Sequence, residues 1–160
     1  MALALSTRSG WELPAYLWFG GLGVAAAVVD ARVRRLPNAI TAAWAVGTVA
    51  GLLVPAVIEQ RGDDWLRAVL AGVTLTVVFG LVALSGALGW GDVKAAAAVG
   101  VILGWLGWVA VYAGMLAAAV LAGGWAVVLL ARGRARRRTR IPLGPFLVAG
   151  AVIALTALRA

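Results

Sequence analysis

Two aspartates, Asp30 and Asp92, have the positions in this chain that are most suited to chemistry. Asp30 ends the first long apolar run, and Asp92 lies between the third and the fourth. Carboxylates close to apolar membrane segments are costly and normally mark a function or a specific partner. The sequence has six acidic residues in total, and we expect the other four to be solvated: Glu12, Glu59, Asp63 and Asp64.

Each aspartate also has a structural interpretation, since Asp30 could pair with Arg34 and Asp92 could cap a helix that starts at Val93. Two complete apolar runs separate them, so a chain that crosses a bilayer and returns leaves both on one side. Histidine and cysteine are absent. Their absence excludes disulfides, Cys/His zinc sites, thiol nucleophiles and histidine triads. These observations favour a pair of aspartates that activates a water molecule.

The composition predicts an all-α membrane protein. Hydrophobic residues make up 64% of the chain and charged residues 12%, and the mean hydropathy is +1.01; soluble domains carry about 25% charged residues. The apolar runs are continuous rather than alternating, which favours helices over a barrel. We expect one membrane domain over residues 1–160. The net charge of +8 does not indicate nucleic-acid binding, because the arginines lie in loops between apolar runs.

The apolar runs predict about six transmembrane helices, at 13–29, 39–58, 66–88, 94–109, 111–131 and 141–158. Residues 95–131 carry no charge. As one helix this stretch would reach roughly 55 Å, against a hydrocarbon core of about 30 Å. It must therefore turn back, and Gly104–Trp108 is the expected place. We also expect the GxxxG pairs Gly47/Gly51 and Gly100/Gly104 to allow close helix packing.

The basic residues predict the orientation. Ten of the 14 lie after the first, third and fifth runs: Arg32, Arg34, Arg35, Lys94, Arg132, Arg134, Arg136, Arg137, Arg138 and Arg140. Because basic loops stay in the cytoplasm, we expect both termini outside and the two aspartates at the cytoplasmic side. Four tryptophans then fall near the outer interface: Trp11, Trp65, Trp105 and Trp108. The cluster 132–140 is interpreted as a topology signal and a contact for anionic lipids.

Three segments contain motifs that are similar to those of one protein family. Residues 30–38 (DARVRRLPN) contain an aspartate followed by Leu-Pro-Asn, which resembles the first aspartate motif of the type IV prepilin peptidase family. Residues 89–94 (GWGDVK) resemble its second motif, the GxGD signature of intramembrane-type aspartyl proteases, and residues 141–147 (IPLGPFL) resemble its proline-glycine stretch. The three motifs occur in the family's order and span nearly the whole chain.

The resemblance implies a prepilin leader peptidase in the bacterial cytoplasmic membrane. Such an enzyme cuts the leader from pilin, pseudopilin or Flp-type precursors, here with Asp30 and Asp92 as catalytic residues. Eight residues would support this site: Pro37, Asn38, Gly89, Gly91, Lys94, Pro142, Gly144 and Pro145. No metal or other cofactor is expected. Many relatives carry a four-cysteine domain associated with methyl transfer; this chain has no cysteine and resembles the short, peptidase-only form.

Several alternatives stay open on the sequence. Lys94 has a structural interpretation as an interfacial lysine, and Pro142, Gly144 and Pro145 could simply start a helix. Ser85 and Lys94 could in principle form a Ser–Lys dyad. A GxGD protease could act on other membrane-protein or signal-peptide substrates. A non-enzymatic scaffold of a pilus or secretion system could use aspartates to pair with arginines. The oligomeric state is not predicted.

The charge asymmetry gives a direct test of orientation. Single cysteines placed at Ser9 and Thr139 would be the only thiols in the chain. In intact cells an impermeant thiol reagent should label position 9 and spare position 139, because the more basic side stays in the cytoplasm. The reverse labelling pattern would contradict the orientation, and equal protection of both sites would contradict the number of crossings.

Overall fold

The apolar runs form helices. The computed structural model describes residues 10–33, 38–86, 88–133 and 143–158, and these contain no strand. A short 3-10 turn at Gly10–Glu12 leads into the first helix. The six α-helices are α1 (Leu13–Val33), α2 (Asn38–Ile58), α3 (Gly62–Leu84), α4 (Trp90–Leu106), α5 (Trp108–Ala131) and α6 (Gly144–Ala157).

Four segments are long and apolar enough to cross a bilayer: Gly10–Val29, Ala39–Ile58, Gly62–Leu84 and Trp108–Ala131. Helix α6 is apolar but shorter. Helix α4 has 17 residues and carries Asp92 and Lys94 in its first turns. The chain is therefore a multi-pass α-helical membrane protein, while a total of six crossings stays a prediction.

Three of the predicted boundaries of α3 and α4 were wrong by four residues. Helix α3 begins at Gly62 rather than at 66, because Asp63 and Asp64 suit the first turn of a helix, where carboxylates oppose the positive end of the macrodipole. It ends at Leu84 rather than at 88, and a turn with Gly86 at φ +78° follows. Helix α4 begins at Trp90 rather than at 94. The predicted turn at Gly104–Trp108 is confirmed, since Gly107 (φ +130°) separates α4 from α5.

Helix α4 forms the centre of the bundle. Twelve of its 17 residues are buried, and it contacts all five other α-helices. The buried side chains are mostly small, including Ala95, Ala96 and Ala98. Small residues let helix backbones approach closely, which is the main source of packing between apolar helices in a bilayer.

The contact between α3 and α4 depends on glycine. A Cβ atom on Gly100 would lie 2.8 Å from both the Ala71 carbonyl oxygen and the Gly72 Cα. A Cβ atom on Gly104 would lie 2.9 Å from the Ala68 Cα. The second GxxxG pair is therefore a close-packing surface, as predicted. On α2, Gly51 similarly faces Ala15 of α1 across a short distance.

A buried tryptophan ties α2 to α1. The Trp44 side chain is fully buried, and its Nε1–H donates a hydrogen bond of 2.9 Å to the Phe19 carbonyl oxygen. The Phe19 and Trp44 ring centroids are 5.3 Å apart. The indole therefore combines apolar burial with a satisfied polar group, as a buried tryptophan requires.

The glycine contact predicts a large stability difference between two similar substitutions. Gly100→Ala should lower thermal stability in detergent by about 1–3 kcal/mol, the usual cost of overpacking, because the methyl group meets backbone atoms of α3. Gly123→Ala is the control, since no heavy atom lies within 4 Å of the position of its Cβ. Equal melting temperatures for the two variants, followed by the unfolding of purified protein, would contradict the packing described here.

Candidate active site at one end of the bundle

Asp92 lies in the first turn of α4 and is buried, with 8% of its surface exposed. The helix begins after Gly89, which has an extended backbone. The Gly89 N–H donates to Asp92 Oδ2 at 3.3 Å, and the Asp92 N–H donates to the Gly89 carbonyl oxygen at 3.0 Å. The helix thus begins at Trp90, three residues before the start assumed in the alternative in which Asp92 only caps a helix. The carboxylate does contribute to the helix start, but from the third helical position, where negative charge is favoured.

The backbone of Asp30 lies in the last turns of α1, which runs to Val33. Its side chain lies outside the described part of the structure, as do Pro37 and Pro142. Asn38 is the first residue of α2, and its side chain is likewise outside. The predicted roles of these residues stay predictions.

The course of the helices brings Asp30 and Asp92 to one end of the bundle. At the opposite end, the Trp105 Nε1–H donates to Glu12 Oε1 at 3.0 Å, so the start of α1 meets the end of α4. Asp30 follows Glu12 by 18 residues, roughly 27 Å of helix, and Asp92 precedes Trp105 by 13 residues, roughly 20 Å. Both helices thus lead away from the same contact, and their aspartates lie towards the same end.

Helix α6 begins at this end too. A Cβ atom on Gly114 of α5 would meet both Leu103, near the end of α4, and Ala154, near the end of α6. The start of α6 therefore lies on the side of Asp92. Gly144 and Pro145 form the first turn of α6 after Leu143, which agrees with their interpretation as a helix start.

The two glycines of the GxGD motif lie at the start of α4. Gly91 is part of the first turn of the helix. A Cβ atom on Gly89 would lie 3.5 Å from Asp92 Oδ2, an ordinary contact distance. The protein itself therefore has room for a side chain at position 89. Lys94 is partly exposed, one turn into α4.

Ser85 lacks the environment of an activated nucleophile. It is exposed at the end of α3, and its Oγ–H donates a hydrogen bond of 2.7 Å to the Val82 carbonyl oxygen. A serine nucleophile needs a base that accepts its proton. This geometry disfavours the Ser–Lys alternative.

The expectation that four acidic residues are solvated was wrong for three of them. The side chains of Glu12, Glu59 and Asp64 are only 15–25% exposed and each pairs with Arg61. Asp63 is exposed as expected. Trp105, expected at the outer interface, is 1% exposed.

One signal in the sequence could have revealed this cluster. Arg67 lies inside the predicted span 66–88, and an ionisable residue within such a span normally has a partner. Thr41, which is 3% exposed near the start of α2, is a second buried polar residue that the sequence analysis did not single out.

The fold and the buried carboxylate thus define a multi-pass membrane protein with a polar site at one end of its bundle. Comparison with known proteins identifies the family: residues 17–127, more than half of the chain, match the type IV leader peptidase family, and the chain belongs to it. The matched range includes both Asp30 and Asp92.

Two curated relatives extend the comparison. They are the "Prepilin leader peptidase/N-methyltransferase" proteins of Burkholderia pseudomallei strains 1026b and K96243. Each is 33% identical over 162 aligned residues, which cover 96% of this chain and 49% of the relative. The chain therefore spans about half the length of the curated relatives that it matches. No solved structure matches it.

The free space at Gly89 allows a test of why the motif contains glycine. Gly89→Ala should insert and melt like the parent protein, because the backbone φ of −81° and the surrounding space both accept alanine. If a substrate backbone must approach Asp92 closely, the same variant should lose most of its peptidase activity. Unchanged cleavage of a prepilin by this variant would show that the glycine is not needed for substrate access.

Proposed function

We propose that the chain is an aspartyl endopeptidase that cleaves the leader from type IV prepilin-like precursors, with Asp30 and Asp92 as the catalytic pair. The observation that carries the proposal is the buried carboxylate of Asp92, in the first turn of the central helix α4. The last turns of α1, which contain Asp30, lie towards the same end of the bundle. Membership of the leader peptidase family supports the same reaction.

The chemistry follows from two carboxylates that share a proton. Two such groups held a few ångströms apart cannot both ionise cheaply, so one stays protonated. The ionised aspartate takes a proton from a water molecule as this water attacks the scissile carbonyl carbon. The protonated aspartate donates a hydrogen bond to the carbonyl oxygen and later helps the amine to leave.

We further propose that the aspartate end faces the cytoplasm and that the protein resides in the bacterial inner membrane. The charge asymmetry of the loops supports this orientation. The cluster 132–140 would then meet anionic lipids of the inner leaflet.

The substrate is proposed from the curated relatives, whose name couples leader cleavage with N-methyl transfer. We propose the peptidase activity for this chain, because residues 17–127 match the leader peptidase family. A peptidase acting on other membrane-protein or signal-peptide substrates would use the same two aspartates, and incubation with both kinds of substrate separates the two possibilities.

Conservative substitutions test the catalytic pair. Asp30→Asn and Asp92→Asn should each lower the rate of prepilin cleavage by roughly 100- to 10,000-fold, the contribution of a positioned proton-transfer group. The double variant should be scarcely slower than either single one, because the pair acts as a unit. Mass spectrometry of the prepilin N-terminus after co-expression measures the cleavage.

The same substitutions carry their own stability control. Asparagine at 92 keeps an oxygen that can accept the Gly89 N–H, so folding should change little. Asp63→Asn, on an exposed residue, and Ser85→Ala should both remain fully active. Asp64→Asn is unsuitable as a neutral control, because Asp64 pairs with Arg61 and Arg67. Substantial cleavage by a well-inserted Asp30→Asn or Asp92→Asn protein would exclude the aspartyl mechanism.

A further inference from the structure

A closed ring of hydrogen bonds and ion pairs lies at the end of the bundle opposite Asp92. Arg61 Nη1 donates to Glu12 Oε1 at 2.6 Å, and Arg61 Nε donates to Asp64 Oδ2 at 2.6 Å. Arg67 Nη2 contacts Asp64 Oδ1 at 2.8 Å and the Trp105 carbonyl oxygen at 3.0 Å. The Trp105 indole N–H, which also binds Glu12 Oε1, closes the ring. We refer to these five residues as the clamp.

The clamp does more than neutralise charge. Arg67 Nε also donates to the Gly104 carbonyl oxygen at 2.9 Å, so one guanidinium binds two of the carbonyl groups that the end of α4 leaves without helical partners. The Arg61 guanidinium lies 4.3 Å above the Trp105 ring. Planar guanidinium groups with several fixed donors define geometry more strictly than a lysine could.

Partial burial makes these contacts stronger than ordinary surface ion pairs. The clamp's charged side chains are 15–31% exposed, and pairs shielded from water are less screened by salt. Burial, the largest single effect, disfavours the charged form of Arg61. The hydrogen bonds to Asp64 and Glu12 outweigh it, so the pKa of Arg61 is raised above its usual value. Arg61 therefore stays charged at any physiological pH.

The clamp joins the two helices that carry the aspartates. Glu12 directly precedes α1, which leads to Asp30, and Trp105 lies in the last turn of α4, which begins beside Asp92. Along their lengths α1 and α4 touch each other little, and α1 packs mainly against α2 and α6. The clamp is thus a direct polar link between two helices whose other ends must meet for the proposed reaction.

We infer that the clamp is a positioning device that fixes the axial register of α1 against α4 and thereby sets the separation of Asp30 and Asp92. The inference rests on the proposed function. An α-helix is stiff along its axis, so a shift at the clamp displaces the aspartate at the far end. Reacting groups are sensitive to such shifts, since a misplacement of 1 Å can cost roughly 100-fold in rate.

Two mild substitutions test the inference. Trp105→Phe removes the indole N–H and keeps an aromatic ring, while Glu12→Gln keeps an acceptor oxygen and removes the charge. Each should lower kcat for prepilin cleavage roughly tenfold or more and leave KM unchanged, because the substrate surface is untouched. Trp108→Phe and Asp63→Asn are the matched controls, since both residues lie at the same end and are exposed.

The pH profile distinguishes positioning from loss of structure. Repulsion within a close carboxylate pair keeps its two protonation steps apart and so widens the pH range in which one proton is shared. Greater separation brings the two steps together, so both clamp variants should have a narrower active pH range than the parent. A destabilised but correctly arranged enzyme would keep the parental profile at a lower amplitude, and that result would overturn the inference.

A distance measurement gives a readout that does not depend on activity. The parent chain has no cysteine, so spin labels can be placed on Val28 of α1 and Trp90 of α4, both exposed near the aspartate end. The distance distribution should broaden or shift when Glu12→Gln and Trp105→Phe are combined, and stay unchanged in the two controls. An unchanged distribution in the double clamp variant would refute the clamp's role. Activity of Asp30→Asn or Asp92→Asn would instead refute the proposed function, and the spin-label result would not be affected.

Discussion

The burial of α4 is the constraint on which the rest of the structure depends. A helix surrounded by other helices in an apolar environment must satisfy the backbone groups at its ends without help from water. The chain meets this need with ionisable side chains at both ends. The Asp92 carboxylate accepts the Gly89 N–H at the start, and the Arg67 guanidinium donates to the Gly104 and Trp105 carbonyl oxygens at the finish. Ionisable side chains therefore satisfy backbone groups at both ends of α4.

Much of the architecture could be predicted from the sequence because bilayers impose simple rules. Continuous apolar runs of sufficient length form helices, and a charge-free stretch too long for one crossing turned at Gly107, within the predicted segment. Close packing at Gly100 and Gly104 was also predictable from their spacing. The starts of helices were harder to predict from the sequence. Asp63 and Asp64 lie in the first turn of α3, although two adjacent acidic residues resemble a polar loop.

The clamp could not be predicted, because its partners lie far apart along the chain. Trp105 and Glu12 are separated by 93 residues, and nothing in one sequence specifies which acidic residue an indole N–H will bind. For the candidate site, the sequence alone pointed to Asp92 and to the motif residues around it. The structure shows in addition that Asp92 is buried and lies in the first turn of α4. The pairing of Asp30 with Asp92 stays a prediction, since the structure describes only the backbone of Asp30.

The turn at Gly107 has a consequence for how the protein enters the membrane. A single residue connects α4 to α5, so if α4 crosses the bilayer as predicted, the two helices would insert together as a helical hairpin. Helix α4 carries an aspartate and a lysine and is a poor insertion signal, whereas the 24 residues of α5 carry no charge. The partitioning of α5 into lipid would then provide the driving force for inserting its polar neighbour during biogenesis.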